Sequence, residues 1–159
     1  MKDFIEKCGN ILRSLIAESA VFVAGVEMAE VHPEAAVSLA RTCIELISEA
    51  MIQLSNSERR DEHLERAYEE LEMARELFKS VVVGEPVSII ARKHVPQGAE
   101  GRKILILDIA HSHTHRAIDE LKKSKNFELY HEPLQLLSRA RRESAPTTLY
   151  RLAYEMART

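Results

Sequence analysis

Apolar residues recur along this chain at alternating three- and four-residue steps, the pattern of helices packed on one side. In the first segment the stripe is Ile5, Cys8, Leu12, Leu15, Ser19, Phe22 or Val23, and Val26. Its second half, residues 19–26 (SAVFVAGV), is apolar almost all round and is predicted to be deeply buried, with Gly25 permitting a close approach or a bend. Pro33 and Glu34 suit the opening of a second helix, where a proline costs no hydrogen bond and an acid meets the positive end of the dipole. That helix runs on Ala36, Leu39, Ala40, Cys43, Ile44, Ile47, Met51 and Leu54 and ends in the polar run SNSE, whose Ser57 offers a cap for the next. The third stripe is Leu64, Ala67, Tyr68, Leu71, Ala74 or Arg75, Phe78 and Val81. Its other face is charged, with Glu62, Arg66 and Glu70 at helical-neighbour spacing. Three such segments predict an antiparallel array joined by short turns.

Between residues 81 and 102 the pattern breaks into β-branched clusters, two prolines and three of the five glycines. One reading is an irregular connection with a short helix after Pro86. The alternative is a β-hairpin around residues 87–109, because KILILDI has strand-like composition. Beyond it, HTHRAIDELKKSK, PLQLLSRARRE and APTTLYRLAYEMA are helical in either case. The expected fold is therefore mainly α, a bundle or array of five or six helices with an irregular middle segment. The alternative is α+β with that small hairpin. The expected organisation is one domain over 1–159: helical hairpins in 2–82, a connection in 83–101 and C-terminal helices in 102–158.

Composition narrows the classes. A chain of 159 residues, 45% hydrophobic and 30% charged, can bury a core without disulfides or metal. Trp is absent and aromatics are few, so platforms for stacking bases are scarce, which argues against single-stranded nucleic acid. Cys8 and Cys43 sit on apolar stripes without ligand-like companions and read as free thiols of a cytoplasmic protein. The start KDFIEKCGN carries no apolar core of a signal peptide, and the longest apolar run is far short of a membrane span. The net charge of -3 hides an asymmetry: residues 1–101 hold 11 basic against 18 acidic residues, and residues 102–159 hold 11 against 7. Opposed halves favour attraction within the chain or across a homo-oligomer. A basic C-terminal patch (Lys122, Lys123, Lys125, Arg139, Arg141, Arg142) leaves phosphate or RNA binding open.

One stretch carries candidate chemistry. LDIAHSHTHRAIDE holds three of the seven histidines. On a helix, Asp108, His111 and His115 fall within an arc of about 60°, with Asp119 beside them and His113 pointing nearly the opposite way. Two histidines four residues apart plus an aspartate suit a divalent transition metal such as zinc, manganese, iron or nickel. Other helices could contribute Glu18 or Glu27 from the first segment, or Glu45 and Glu49 from the second. Glu-x-x-His and His-Glu-x-x-His spacings, a glycine-rich phosphate loop and a Gly-x-Ser-x-Gly elbow are all absent. The plain alternative makes His111 and His115 boundary histidines bonded to nearby carboxylates.

Two functions follow as expectations, and the sequence leaves open whether the chain is an enzyme. The first is a non-enzymatic helical interaction or oligomerisation protein, binding copies of itself or another protein, because apolar stripes explain most of the chain. The second is a metal-dependent hydrolase of a phosphate-containing small molecule, with Asp108, His111 and His115 as ligands and a glutamate as base.

Overall fold

A computed structural model describes residues 1–99 and 101–158, and of residues 14–25 the backbone only. The expected burial of residues 19–25, the packing of Gly25 and the orientation of Glu18 lie outside the described residues. The described elements are seven α-helices and one 3-10 turn, and no strand occurs among them. In chain order they are α1 (Lys2–Val31), α2 (Glu34–Ser55), α3 (Glu62–Val83), α4 (Ile89–His94), α5 (Lys103–Lys123), the 3-10 turn (Phe127–Tyr130), α6 (His131–Glu143) and α7 (Pro146–Ala157). The fold is mainly α, as the periodicity predicts.

The hairpin alternative does not hold, for two local reasons. Ser88 caps α4 by accepting from the Ala91 amide at 3.1 Å, which starts a helix where the strand would run. In KILILDI the consecutive Ile106 and Leu107 are both fully buried, and a strand would send them to opposite faces. The count exceeds five or six because α4 and the 3-10 turn are short elements whose few residues show no period.

Four helices close a ring: α3 packs on α5, α5 on α6, α6 on α2 and α2 on α3. The core inside it comes from the predicted stripes: Leu39, Cys43, Ile47, Met51 and Leu54 of α2, Leu64, Leu71 and Phe78 of α3, Ile106, Leu107, Ile118 and Leu121 of α5, and Leu137 of α6. Gly84 ends α3 in the left-handed conformation (φ 94°), the region glycine enters without a Cβ penalty. The third helix is capped by Asp61, whose Oδ1 accepts from the Leu64 amide at 2.8 Å, while Ser57 turns instead to the Arg59 carbonyl at 3.2 Å.

Of the expected three-helix array, α2 and α3 pair as neighbours, whereas α1 docks chiefly on α7 at the far end of the sequence. The lengths are unequal. Thirty residues of α1 reach about 45 Å and the twelve of α7 about 18 Å, so most of α1 extends past its partner.

Candidate functional site

The seam between α3 and α5 carries a ladder of polar contacts. Glu70 Oε2 of α3 lies 2.5 Å from His113 Nδ1 of α5, and His63 Nδ1 of α3 lies 2.9 Å from Glu120 Oε2 of α5. At the next rung Ser124 Oγ donates to Asp61 Oδ2 at 2.5 Å. Each helix therefore offers a histidine and, seven residues on, a glutamate; run antiparallel, the two patterns satisfy each other. Ionised carboxylates only accept, so Nδ1 carries the proton in both histidines.

His113 is the buried member, with 7% of its side chain exposed. Its ring meets that of His94 from α4 edge to face, 5.2 Å between centroids. Burial, and then the neighbouring His113, push the pKa of His94 down. Ser124 and the Leu64 amide hold the Asp61 carboxyl below the usual range, and His63 does the same for Glu120.

The residues singled out as metal ligands lie along the other edge of α5. His111 is half-buried and its Nδ1 is 2.9 Å from Ser144 Oγ. The Ser144 hydroxyl also lies within donating distance of the Ala140 carbonyl, at 2.8 Å, and of the Arg141 carbonyl, at 3.3 Å. Burial lowers the His111 pKa against the opposing pull of Asp108. His115 and Asp119 are exposed and face each other at 3.4 Å, while Arg141 reaches His115 Nδ1 at 3.5 Å. Asp108 is exposed, and its charge bears on both His111 and Tyr150. Glu27, Glu45 and Glu49 point to solvent. Among the described residues no group of three or more His, Cys, Asp or Glu side chains is arranged to hold a metal ion.

The side of α5 nearly opposite His111 and His115, where the helical wheel sets His113, is buried rather than open to solvent. Because α5 packs on α3 along one side and α6 along the other, its buried arc is wide. His113 and His111 form its two rims. The signal for the α3 rim was in the sequence: His63-x6-Glu70 and His113-x6-Glu120 are the same spacing on two helices.

Other candidates are shallower. Arg142 lines an open groove of about 390 Å³ with His131, Leu134, Gln135 and Ser138 on α6. Cys43 is fully buried, its thiol pushed up to about 12 by burial and by Glu143, and donates to the Ala140 carbonyl at 3.4 Å. Both features are poor starting points for chemistry.

The largest departure from expectation is on α1. Its predicted stripe is uncovered at the N-terminal end, where Ile5 is 65% and Leu12 59% exposed, and the adjoining Phe4 and Ile11, outside that stripe, are 70% and 60% exposed. With half-buried Cys8 these residues occupy an arc of about 120° on one face. Over the described residues no helix is long and apolar enough to cross a membrane. No family model, curated protein or solved structure matches this chain, and its function is read from its own geometry.

Proposed function

We propose that this is a non-enzymatic interaction protein, a helical ring that presents the N-terminal half of α1 as a protein-docking helix. The observation that carries the reading is the uncovered stripe of Phe4, Ile5, Ile11 and Leu12. Large apolar side chains grouped on one face mark a surface that is covered in use. A helix of a dozen residues is marginal in water on its own, so its extension past α7 is stabilised when that face is packed.

The polar features support the same reading. The His–Glu rungs act as structural ties between helices, and the Ser144 hydroxyl has backbone carbonyls of α6 within reach. The test uses the dye anilinonaphthalene sulfonate on dilute protein. The parent is expected to raise its fluorescence, and the Ile11→Glu/Leu12→Glu variant to lose most of that response with unchanged circular dichroism. Equal responses from the two proteins would remove the reading.

A further inference from the structure

We infer that residues 85–99, with α4 at their centre, form a strap at the α3–α5 seam that opens locally in acid, the contact of His94 with His113 serving as its latch. The first observation is how little fastens the strap. Its buried side chains are small, Ala91, Val95 and Ala99, whereas Ile89 is 73% exposed, Val87 39% and Ile90 38%. Hydrophobic stabilisation follows the apolar area removed from water, so such a segment belongs to the part of a fold that opens most readily. Among the helices, α4 packs chiefly on α3. Two further contacts hold the segment: the Val87 amide donates to Ser80 Oγ at 3.3 Å, and the His94 ring meets that of His113 on α5 at 5.2 Å. Gly84 (φ 94°) precedes the helix and Gly98 (φ 87°) follows it. Glycine turns through that region without a Cβ penalty, which suits both positions to absorb a hinge rotation.

The chemistry of the latch sets the direction of its response. His94 is the half-exposed last residue of α4, so protons reach it from solvent. Facing it are Glu70 from α3, His113 and Arg116 from α5, and Lys93 from its own helix. Arg116 and Lys93 are cations. The acid, Glu70, is already engaged by His113 Nδ1 at 2.5 Å. A proton added to His94 in the closed strap is thus partly desolvated beside two positive charges; in the open strap it is hydrated. Burial, and then His113, hold the pKa of His94 below its usual value in the closed arrangement, against the pull of Glu70.

The closed strap therefore takes up the proton less readily than the open one. Neutral His94 favours closure, which is complete above about pH 6.5, the ordinary histidine value. Below it, opening becomes more frequent by at most about tenfold per pH unit, and the rise stops once the closed form is itself protonated. Opening lifts Ala91, Val95 and Ala99 away from the core they pack on and bares the His113–Glu70 rung to water. Acid thus uncovers apolar surface at a place distant in sequence from the exposed face of α1.

The test is amide hydrogen exchange of the full chain at pH 7.5 and pH 5.5, with each rate corrected for the intrinsic effect of pH. In the parent, protection of residues 85–99 is expected to fall about three- to tenfold at the lower pH, while peptides from α2 and α6 keep theirs. His94→Phe preserves an aromatic edge without a titrating group and is expected to keep the strap equally protected at both pH values. His94→Gln, neutral and polar at a half-exposed position, should lower protection at both pH values without the acid-dependent fall. Constant protection of the strap in the parent would overturn the inference. So would an acid-dependent fall of the same size in both variants, or an equal fall in the α2 and α6 peptides, which would mean that the whole fold loosens.

Discussion

Glu70 of α3 and His113 of α5 meet at 2.5 Å in the same seam where His63 of α3 and Glu120 of α5 meet at 2.9 Å, with the residue types exchanged between the helices. This exchange fixes register. A slip of one turn would move both pairs out of reach and leave a nearly buried histidine beside apolar groups such as Ala74, and a slip of two turns would set Glu70 opposite Glu120 or His63 opposite His113. Because His113 is the more deeply placed member, His113→Ala strands the Glu70 carboxylate at a site only 22% exposed. It is expected to lower the unfolding free energy by about 2–4 kcal/mol. His115→Ala, at an exposed position, should change it by no more than about 0.5 kcal/mol. Urea denaturation of the two variants separates them, and equal losses would deny the seam its special weight.

Acid should weaken the fold through His94. Its pKa is lowered by burial and by His113, so the native state takes up its proton less readily than the unfolded chain. The unfolded chain binds more protons as the pH falls below about 6.5, and stability drops through the window between that value and the lower native pKa. Above 6.5 the contribution is complete. In His94→Gln the slope of stability against pH across this window should flatten. An unchanged slope would place the dependence elsewhere.

A second acid-dependent tie is Asp61, which caps α3 with one oxygen and accepts from Ser124 with the other. Its pKa is lowered, so its stabilisation is present above the unfolded value of 3.8 and is lost as the pH falls through the native one. At neutral pH, Asp61→Ala should cost about 1–2 kcal/mol and Asp61→Asn less, since asparagine still caps. Thermal melts at pH 7 and pH 3 test this: the gap between parent and Asp61→Ala should narrow at the lower pH.

The two cysteines should differ in reactivity. Cys43 is fully buried with its thiol raised to about 12, so it holds almost no thiolate at neutral pH. Cys8 is only half-buried and lies among the exposed Phe4, Ile5, Ile11 and Leu12. Dithionitrobenzoate should titrate one thiol rapidly in the native protein and the second only on unfolding. Two rapid thiols would contradict the packing of α2 on α6.

The core was legible because burial repeats with the helix. Leu39, Cys43, Ile47 and Met51, or Leu64, Leu71 and Phe78, advertise their faces at every turn. Ring closure was not, since nothing in the spacing of one helix says which other helix covers it. That is why α1 was expected beside α2 and α3 and docks on α7. KILILDI was ambiguous for a related reason: a helix buried on two sides loses the polar positions that distinguish its period from that of a strand. The histidine cluster drew attention by local crowding, whereas the ties at His63 and His113 depend on partners 57 and 43 residues away. Only the repeated His-x6-Glu spacing announced them.

The docking of α1 on α7 has a consequence for synthesis. The chain leaves the ribosome from the N-terminus, so α1 emerges before its partner, with 114 residues between Val31 and Pro146. At translation rates of about 5–20 residues per second, α1 waits roughly 6–23 s for α7 to be made. Throughout that interval the part of α1 that docks on α7 has no such mate within its own chain. On a messenger carrying several ribosomes, the α1 of the neighbouring nascent chain is within reach. Any helix that covered α1 in the meantime would shelter it until its own α7 arrives.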